Sequence, residues 1–366
     1  MRNVLGDNLT LTIFGESHGS KIGAVIDGLS AGVRVDEEFI KECLSLRRPS
    51  SIGETKRVES DSFEIVSGVF NGYSTGSSIC ILIDNTNVKS KDYDAIKDLA
   101  RPSHADYVAN VKYNGFADYR GGGHFSGRIT AAIVAAGAII LKALEKFDIK
   151  VLSHIKQIGD VKDRDFNDFI EDEKILSDNK FPTLDNVASL MQEKIEAVAK
   201  DNDSIGGIIQ TAIVNLPVGL GEPMFSSLES KLSSALFSIG AVKGVEFGRG
   251  FDYVNYLGSQ VNDEFAIKDN KVITKTNNNG GINGGISNGM PVVFNCVIKP
   301  TPSIGKVQQT INMKSLKEEE ILVSGRHDPC IVRRANIVIK AISAFVIADA
   351  LISQYGANAF NKEKLD

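Results

Sequence analysis

One stretch of the chain limits its architecture more than any other. Residues 129–147 are almost entirely Ile, Val, Ala and Leu, interrupted by Lys142. A helix that is apolar on most sides has to be buried, and this one is too short and too interrupted to span a bilayer. Residues 335–355 form a second long helix of small and apolar residues. The sequence therefore predicts two interior helices in a mixed α/β fold.

Shorter patterns supply the layers around these helices. Alternating or β-branched runs predict strands, and the strands at 62–70 and 77–84 are expected to pair around the turn 71–76. Segments 160–180 and 251–275 have little periodicity and are expected to be irregular. The other predicted strands are 9–14, 22–26, 151–158, 204–214, 242–247 and 291–298, and the other predicted helices are 36–46, 184–200 and 226–237.

The first interior helix follows a glycine-rich loop. Residues 118–132 read DYRGGGHFSGRITAA. Three consecutive glycines, Gly121 to Gly123, allow positive φ and close backbone approach, and Arg120 and Arg128 carry planar guanidinium groups that match phosphate or carboxylate. A helix starting near Ile129 would direct free N–H groups at a bound anion. The alternative is a flexible turn flanked by arginines.

The overall charge and composition indicate which kinds of ligand the protein is expected to bind. The 366 residues carry a net charge of -5 with a pI of about 5.7, which argues against a general nucleic-acid binder. Arginines clustered in an acidic protein indicate a small anionic ligand. Four separated cysteines without a C-x-x-C pair indicate neither a zinc site nor a disulfide framework. No signal-peptide pattern, Walker A loop or dinucleotide-binding G-x-G-x-x-G pattern is present, and we expect a cytoplasmic protein.

The histidines are distributed unevenly. Four of the five, His18, His104, His124 and His327, lie in segments that also carry Gly, Ser or Arg, whereas His154 does not and is interpreted as structural. This clustering favours proton transfer near an anionic substrate, and the adjacent arginines disfavour a metal site. His18 is expected on a tight turn between two strands, with its imidazole and the Ser17 hydroxyl projecting outward. The alternative is an exposed loop histidine without a role.

Taken together, the polar motifs resemble those of the chorismate synthase family. They occur in that family's order and approximate spacing over nearly the whole chain, although each alone is weak. At position 124 the chain has a histidine where many members have a basic residue. The motifs are GESHG at 15–19, RPSHADY at 101–107, DYRGGG at 118–123, GGINGGISNG at 280–289, KPTPSI at 299–304 and GRHDPC at 325–330.

The resemblance implies a reaction and an assembly. The reaction is the 1,4-anti elimination of phosphate from 5-enolpyruvylshikimate 3-phosphate to give chorismate, in the shikimate pathway of aromatic amino acid biosynthesis. Reduced FMN is required although the reaction is redox neutral, and NADPH would enter only through an external flavin reductase. The implied fold is one α/β (α+β) domain over residues 1–366, a β-α-α-β sandwich of long central helices between mainly antiparallel sheets, assembled as a homotetramer. No nucleic acid, membrane or metal is implied.

The resemblance also implies roles for individual residues. His18 would help phosphate leave, His104 would protonate or hold the reduced flavin near N1, and Asp328 would act with flavin N5 in removing the substrate proton. Substrate anions would be bound by Ser17, Arg47, Arg48, Arg57, Arg101, Arg120, Arg128 and Arg326. Flavin contacts would come from His124, Phe125, Ser126, Gly240, Ala241, Gly284, Lys299, Pro300, Thr301, Pro302, Ser303 and Arg326.

Several alternatives stay open at this point. A flavin oxidoreductase with net hydride transfer, or a non-catalytic binder of phosphorylated metabolites, would also use arginine-rich loops. Arg47 and Arg48 could simply be a solvated helix end. Asp328, which precedes a proline, could be a helix cap. The repeated order of a polar cluster followed by a buried helix suggests an internal duplication.

Overall fold

The computed structural model describes residues 3–49, 61–86, 97–177, 179–323 and 328–365. Two residues with predicted roles, Arg57 and Arg326, lie outside this part of the chain, as does His327. In chain order the strands are β1 (Val4–Leu5), β2 (Thr10–Gly15), β3 (Lys21–Asp27), β4 (Phe63–Ser67), β5 (Val69–Phe70), β6 (Tyr73–Ser74), β7 (Ile79–Asp84), β8 (Lys150–Ile158), β9 (Val161–Lys162), β10 (Gly207–Val214), β11 (Val242–Phe247), β12 (Phe265–Lys268), β13 (Lys271–Thr274), β14 (Ile282–Asn283), β15 (Ile286–Ser287), β16 (Val292–Ile298), β17 (Gln308–Asn312) and β18 (Lys317–Ile321).

Ten of these strands form two antiparallel sheets. The first has the order β1-β2-β3-β7-β4 and the second the order β11-β16-β10-β8-β9. In β7 the side chains of Ile79, Ile81 and Ile83 are fully buried while the residues between them are not, so one face of the first sheet faces the core. The remaining strands pair as short hairpins.

The α-helices of the described residues are α1 (Glu37–Arg47), α2 (Asp106–Lys112), α3 (Thr130–Leu144), α4 (Phe169–Ser177), α5 (Ala188–Lys200), α6 (Leu228–Phe237), α7 (Gly258–Val261) and α8 (Val332–Tyr355). Helix α3 packs on β3 and β7, helix α8 packs on β8 and β10, and the two helices pack on each other. Their crossing is close: a Cβ at Gly137 would lie 2.4 Å from the Cβ of Ala341. Glycine is required there because no larger residue fits between the helices.

Both interior helices are apolar and long enough to cross a membrane by composition alone. In the structure, 78% of the most apolar window of residues 127–147 and 94% of that of residues 332–355 are buried inside the protein. This is the burial of core helices, as predicted from the sequence.

The predicted mixture of helices and antiparallel sheets is confirmed, with most element boundaries within a few residues. The expectation that 160–180 is irregular is wrong, because it contains α4. Asp168 starts that helix by accepting hydrogen bonds from the backbone N–H groups of Ile170 (3.1 Å) and Glu171 (3.2 Å). Segment 251–275 likewise contains the β12–β13 hairpin. The internal duplication stays a prediction.

Candidate active site

The turn between β2 and β3 lies beneath the glycine-rich loop. Ser17 donates its backbone N–H to the carbonyl of Gly123 at 3.0 Å, and the Ser17 hydroxyl lies 3.3 Å from Nδ1 of His18. Ser17 is 0% and His18 7% exposed. The expectation that these side chains project outward is therefore wrong: the turn is tight, as predicted, but a second loop covers it.

Gly121 makes this contact between the two loops possible. Its φ is +58°, and a Cβ on it would lie 2.3 Å from Cε1 of His18 and 2.8 Å from Oγ of Ser17. Both the left-handed backbone and the close approach need glycine. The predicted reason for the three glycines, positive φ and close backbone approach, is confirmed.

Three of the predicted anion-binding arginines converge on one buried carboxylate. Arg47 ends α1, Arg48 follows it, and Arg128 precedes α3. Nη2 of Arg47 lies 3.5 Å from Oδ1 of Asp61, Nε of Arg48 lies 3.5 Å from Oδ2, and Nη1 of Arg128 hydrogen-bonds Oδ1. The Asp61 side chain is fully buried. We call Arg47, Arg48, Arg128 and Asp61 the arginine cluster. Its geometry shows that these guanidinium groups can hold an anionic oxygen together.

Asn85 joins the arginine cluster to the His18 turn. Its Oδ1 accepts a hydrogen bond from Nε of Arg128 at 2.9 Å, and its Nδ2 donates to the carbonyls of Glu16 (3.1 Å) and Gly19 (2.9 Å). These two carbonyls flank His18 in sequence. A single amide therefore fixes the imidazole turn beside the guanidinium groups.

The start of α8 holds the end of α1. Arg333 donates to the carbonyls of Leu46 (3.2 Å) and Arg48 (2.5 Å). Arg334 donates from Nε to the carbonyl of Arg47 (2.8 Å) and from Nη1 to Oδ2 of Asp328 (2.7 Å). Cations at a helix C-terminus are favourable. Through Arg334, Asp328 is connected to the arginine cluster.

The helix-cap interpretation of Asp328 is wrong. Helix α8 has its N-cap at Ile331, three residues after Asp328. The Asp328 carboxylate instead forms an ion pair with Arg334, and its side chain is only 10% exposed. The chemical role of Asp328 stays a prediction.

His104 lies next to an aspartate that the sequence did not single out. Nδ1 of His104 is 2.7 Å from Oδ1 of Asp106. Arg101 donates two hydrogen bonds to the same carboxylate, from Nε to Oδ2 at 2.7 Å and from Nη2 to Oδ1 at 2.8 Å. Burial acts to raise the pKa of Asp106, but the hydrogen bonds from Arg101 and His104 outweigh it and hold the pKa well below its ordinary value. Asp106 is therefore ionised at neutral pH.

A cavity of about 590 Å³ opens beside His104. Its wall combines two imidazoles, His104 and His124, with aromatic rings, among them Tyr113 and Phe125, whose centroids are 6.3 Å apart. The charged groups of the wall have both signs: Lys97, Arg101, Glu16, Asp98, Asp106 and Asp118. At Gly122, which also lines the cavity, a Cβ would already contact the His104 ring at 3.4 Å. Aromatic walls with a few polar groups fit a planar ring system that carries charge. The aromatic and imidazole groups present therefore fit the ring system of a flavin.

The KPTPSI loop borders the same region. Lys299 donates two hydrogen bonds. Its backbone N–H donates to the carbonyl of Ala241 (2.9 Å), and its Nζ donates to the carbonyl of Ser103 (2.8 Å). Thr301 donates its hydroxyl to the carbonyl of Asp328 at 2.7 Å. Burial, and then the charge of Lys243, lowers the pKa of Lys299. The predicted flavin segments Gly240–Ala241 and 299–303 thus connect His104 with Asp328.

Two further predicted residues, Arg120 and Gly284, lie outside the arginine cluster. Arg120 is engaged with Asp118, with contacts of 2.8 Å from both Nε and Nη2. Gly284 lies in the β14–β15 turn, where the next residue, Gly285, accepts from the backbone N–H of Leu228 at the start of α6 (2.9 Å). Gly240 follows the opposite end of α6, and a helix of ten residues is about 15 Å long. The flavin contact of Gly284 stays a prediction.

The other predicted flavin residues lie on the loop that leads into α3. Phe125 packs edge-on against His124, with ring centroids 5.6 Å apart. Ser126 accepts a hydrogen bond from the backbone N–H of Arg128 at 3.3 Å and so starts the short 3-10 turn before α3. This cap fixes the backbone from which Arg128 reaches the arginine cluster.

Sequence reasoning missed five residues that build the site: Asp61, Asn85, Asp106, Arg333 and Arg334. For Asp106 a signal existed, since it lies two residues after His104 within RPSHADY. No comparable signal marked Asp61 and Asn85, because aspartate and asparagine are common at the ends of ordinary strands. Within the described part of the chain, no group of three or more His, Cys, Asp or Glu side chains could hold a metal ion.

Comparison with known proteins identifies the family. The family model described as Chorismate synthase matches residues 9–352. Chorismate synthase of Pyrococcus abyssi is 47% identical over 348 residues, covering 95% of this chain and 97% of the relative. That of Korarchaeum cryptofilum is 42% identical, covering 96% and 97%. A chorismate synthase crystal structure, 29% identical, superimposes with a TM-score of 0.77 over 98% of this chain and 96% of that one. The chain belongs to the chorismate synthase family.

Proposed function

We propose that the chain eliminates phosphate from 5-enolpyruvylshikimate 3-phosphate in a 1,4-anti reaction that yields chorismate, with reduced FMN present and no net redox change. Members of the family are lyases that act on a phosphate-bearing substrate in the shikimate pathway of aromatic amino acid biosynthesis, and the family uses reduced flavin. The choice of FMN, and of an external flavin reductase that draws on NADPH, belongs to this proposal.

The arginine cluster carries the proposal. Arg47 and Arg48 at the end of α1 and Arg128 before α3 approach one carboxylate, and Asn85 ties Arg128 to the His18 turn. Guanidinium groups bind phosphate and carboxylate through parallel N–H···O bonds. The substrate carries a phosphate and two carboxylates, so one part of it would occupy this cluster.

His18 is placed to assist the departure of phosphate. In the elimination a C–H bond and a C–O bond break, a C=C bond forms, and the phosphate leaves with the C–O electron pair. His18 would donate a proton to the leaving phosphate oxygen, and the nearby arginines would hold its remaining charge. The glycine loop covers the imidazole, which limits the access of water to it.

His104 lines the cavity proposed for the flavin, and the backbone of Asp328 is bonded to Thr301 of the KPTPSI loop. The Asp328 carboxylate would accept the proton released from the substrate, and its hydrogen bond from Arg334 would orient it. His104 would hold or move a proton at Nε2, the ring nitrogen nearest Gly122. When bound, reduced flavin supplies the electron-rich ring that assists the elimination and is regenerated unchanged.

We also propose a cellular location, an assembly and a domain organisation for the enzyme. We place it in the cytoplasm as a homotetramer in which residues 1–366 form one catalytic domain. Contacts of α3 with the first sheet, of α8 with the second, and of α3 with α8 support a β-α-α-β layering of that domain. Arg57 and Arg326 are assigned to substrate binding on the resemblance alone.

The experiment is anaerobic phosphate release from the substrate by the wild-type chain and by His18→Ala and His104→Ala. The wild type should release phosphate only with reduced FMN, and each variant should lose roughly 10²–10⁴-fold in kcat, the usual effect of removing a positioned acid or base. Both variants should remain folded. Phosphate release that does not depend on reduced flavin, or wild-type turnover in either variant, would remove the assignment.

A further inference from the structure

We propose that Arg101, Asp106 and His104 form a positioning relay in which Asp106 fixes the proton of His104 on Nδ1 and so dedicates Nε2 to chemistry. This inference rests on the proposed role of His104. It gives Asp106 a task, and it gives Arg101 a task beyond the substrate binding that the family resemblance implies.

The hydrogen-bond geometry favours one tautomer. Nδ1 of His104 faces Oδ1 of Asp106 at 2.7 Å and Nη2 of Arg101 at 3.1 Å. An ionised carboxylate can only accept and a guanidinium can only donate. If Nδ1 carried no proton, two lone pairs would face each other at 2.7 Å. The shorter contact therefore decides that Nδ1 donates to Asp106.

Arg101 makes this arrangement rigid. The backbone N–H of Arg101 (3.1 Å) and its Nε (2.7 Å) both donate to Oδ2, while Nη2 (2.8 Å) donates to Oδ1. Both oxygens of Asp106 are thereby fixed in position by donors, and Oδ1 is left facing His104. The Arg101 and Asp106 side chains are only 9% and 14% exposed, so solvent screens the pair little.

The other ring nitrogen faces the cavity. Cε1 and Nε2 of His104 are the atoms nearest to Gly122, each 3.4 Å from the position of an added Cβ. Gly122 and His104 both line the cavity that fits the flavin. With Nδ1 occupied, Nε2 is the nitrogen that gains or loses a proton toward a bound group. Asp106 acts through His104 and is a positioning residue.

Asp106→Asn separates this relay from a merely structural ion pair. Asparagine keeps the shape but turns one oxygen into an NH₂ group. Oδ2 receives two donors from Arg101, so the NH₂ should take the Oδ1 position and donate to Nδ1 of His104. The ring proton should then move to Nε2. In the Ser-His-Asp triad the same substitution produces the wrong tautomer and lowers kcat by about 10⁴.

The test is ¹⁵N NMR of the resting, histidine-labelled enzyme at alkaline pH, with His104→Gln to assign the signal. The wild type should carry its proton on Nδ1 and Asp106→Asn on Nε2, with kcat lowered roughly 10²–10⁴-fold. The matched control is Asp172→Asn in α4, where the buried carboxylate of Asp172 is paired with Arg164. That control should change neither the His104 tautomer nor kcat by more than about threefold.

Arg101→Lys tests the relay if Asp106→Asn fails to fold. Lysine keeps the charge but cannot hold both oxygens, so the proton should stay on Nδ1 while kcat falls roughly tenfold through looser positioning. A wild-type proton on Nε2, an unchanged tautomer in Asp106→Asn, or unchanged kcat in Arg101→Lys would overturn the inference. Since NMR needs no turnover, a wild-type enzyme with the expected tautomer but no phosphate release would refute only the proposed function.

Discussion

Gly121→Ala tests whether the glycine loop sets the position of His18. Alanine at φ +58° adopts a left-handed backbone, which costs roughly 1–2 kcal/mol. Its Cβ would also lie 2.3 Å from Cε1 and 2.5 Å from Nδ1 of His18. An ordinary carbon contact is about 3.5 Å, so the imidazole or the loop has to move by roughly 1 Å.

The expected magnitudes follow from this displacement. A misplacement of about 1 Å can lower turnover roughly 10²-fold, and we expect that loss in kcat. Backbone strain and overpacking together should lower the free energy of unfolding by about 2–4 kcal/mol. The assays are anaerobic phosphate release with reduced FMN and equilibrium denaturation.

Gly127→Ala is the matched control. It lies in the same loop, but among the described residues nothing is within 4 Å of its added Cβ, and its φ is not positive. We expect kcat within about twofold of wild type and a change in stability within about 0.5 kcal/mol. If Gly121→Ala behaves like Gly127→Ala in both assays, the argument that the loop positions His18 is refuted.

Three further predictions concern charged residues. Arg48→Ala should raise KM roughly 10–100-fold with little change in kcat, because a charge-assisted contact worth about 1.5–3 kcal/mol is lost; an unchanged KM would return Arg48 to a solvated helix end. Asp328→Asn should keep the melting temperature, since the amide oxygen can still accept from Arg334, but it should lower kcat by roughly two orders of magnitude. Near-normal turnover in this variant would refute the proposed role of Asp328 as proton acceptor. For Asp163, burial acts to raise the pKa, but hydrogen bonds from His154 and from the backbone of Leu184 and Asp185 lower it below its ordinary value. The stabilisation by the ionised Asp163 carboxylate should be present above the unfolded pKa of about 3.9 and be lost as the pH falls through the folded pKa. Asp163→Asn should therefore lower the free energy of unfolding by about 3 kcal/mol at pH 7 and by less below pH 4. A difference in unfolding free energy between variant and wild type that does not change with pH would contradict this.

Local patterns predicted the framework of the fold. Apolar periodicity located α3 and α8, and alternation located β2, β3, β7 and β8, because burial on one or both faces leaves its mark directly in the order of residues. Helix α4 escaped prediction because it is short and largely polar. Its start depends on Asp168, and its buried Asp172 is paired with Arg164.

The site was predicted in its residue types more than in its contacts. Arginines and histidines in glycine-rich segments indicated anion chemistry, and the arginine cluster brings three of them together. The burial of His18 could not be predicted, because it results from a loop more than 100 residues away in sequence. The roles of Asp61 and Asn85 depend on long-range contacts of the same kind, which residue spacing does not encode.

The most direct test of the central claim is the flavin spectrum during anaerobic turnover, recorded together with phosphate and chorismate. The account predicts many molecules of phosphate and chorismate, in equal amounts, for each molecule of reduced FMN, which should remain reduced when the substrate is exhausted. One product per flavin, with oxidised FMN at the end, would contradict the account and identify a net hydride transfer instead.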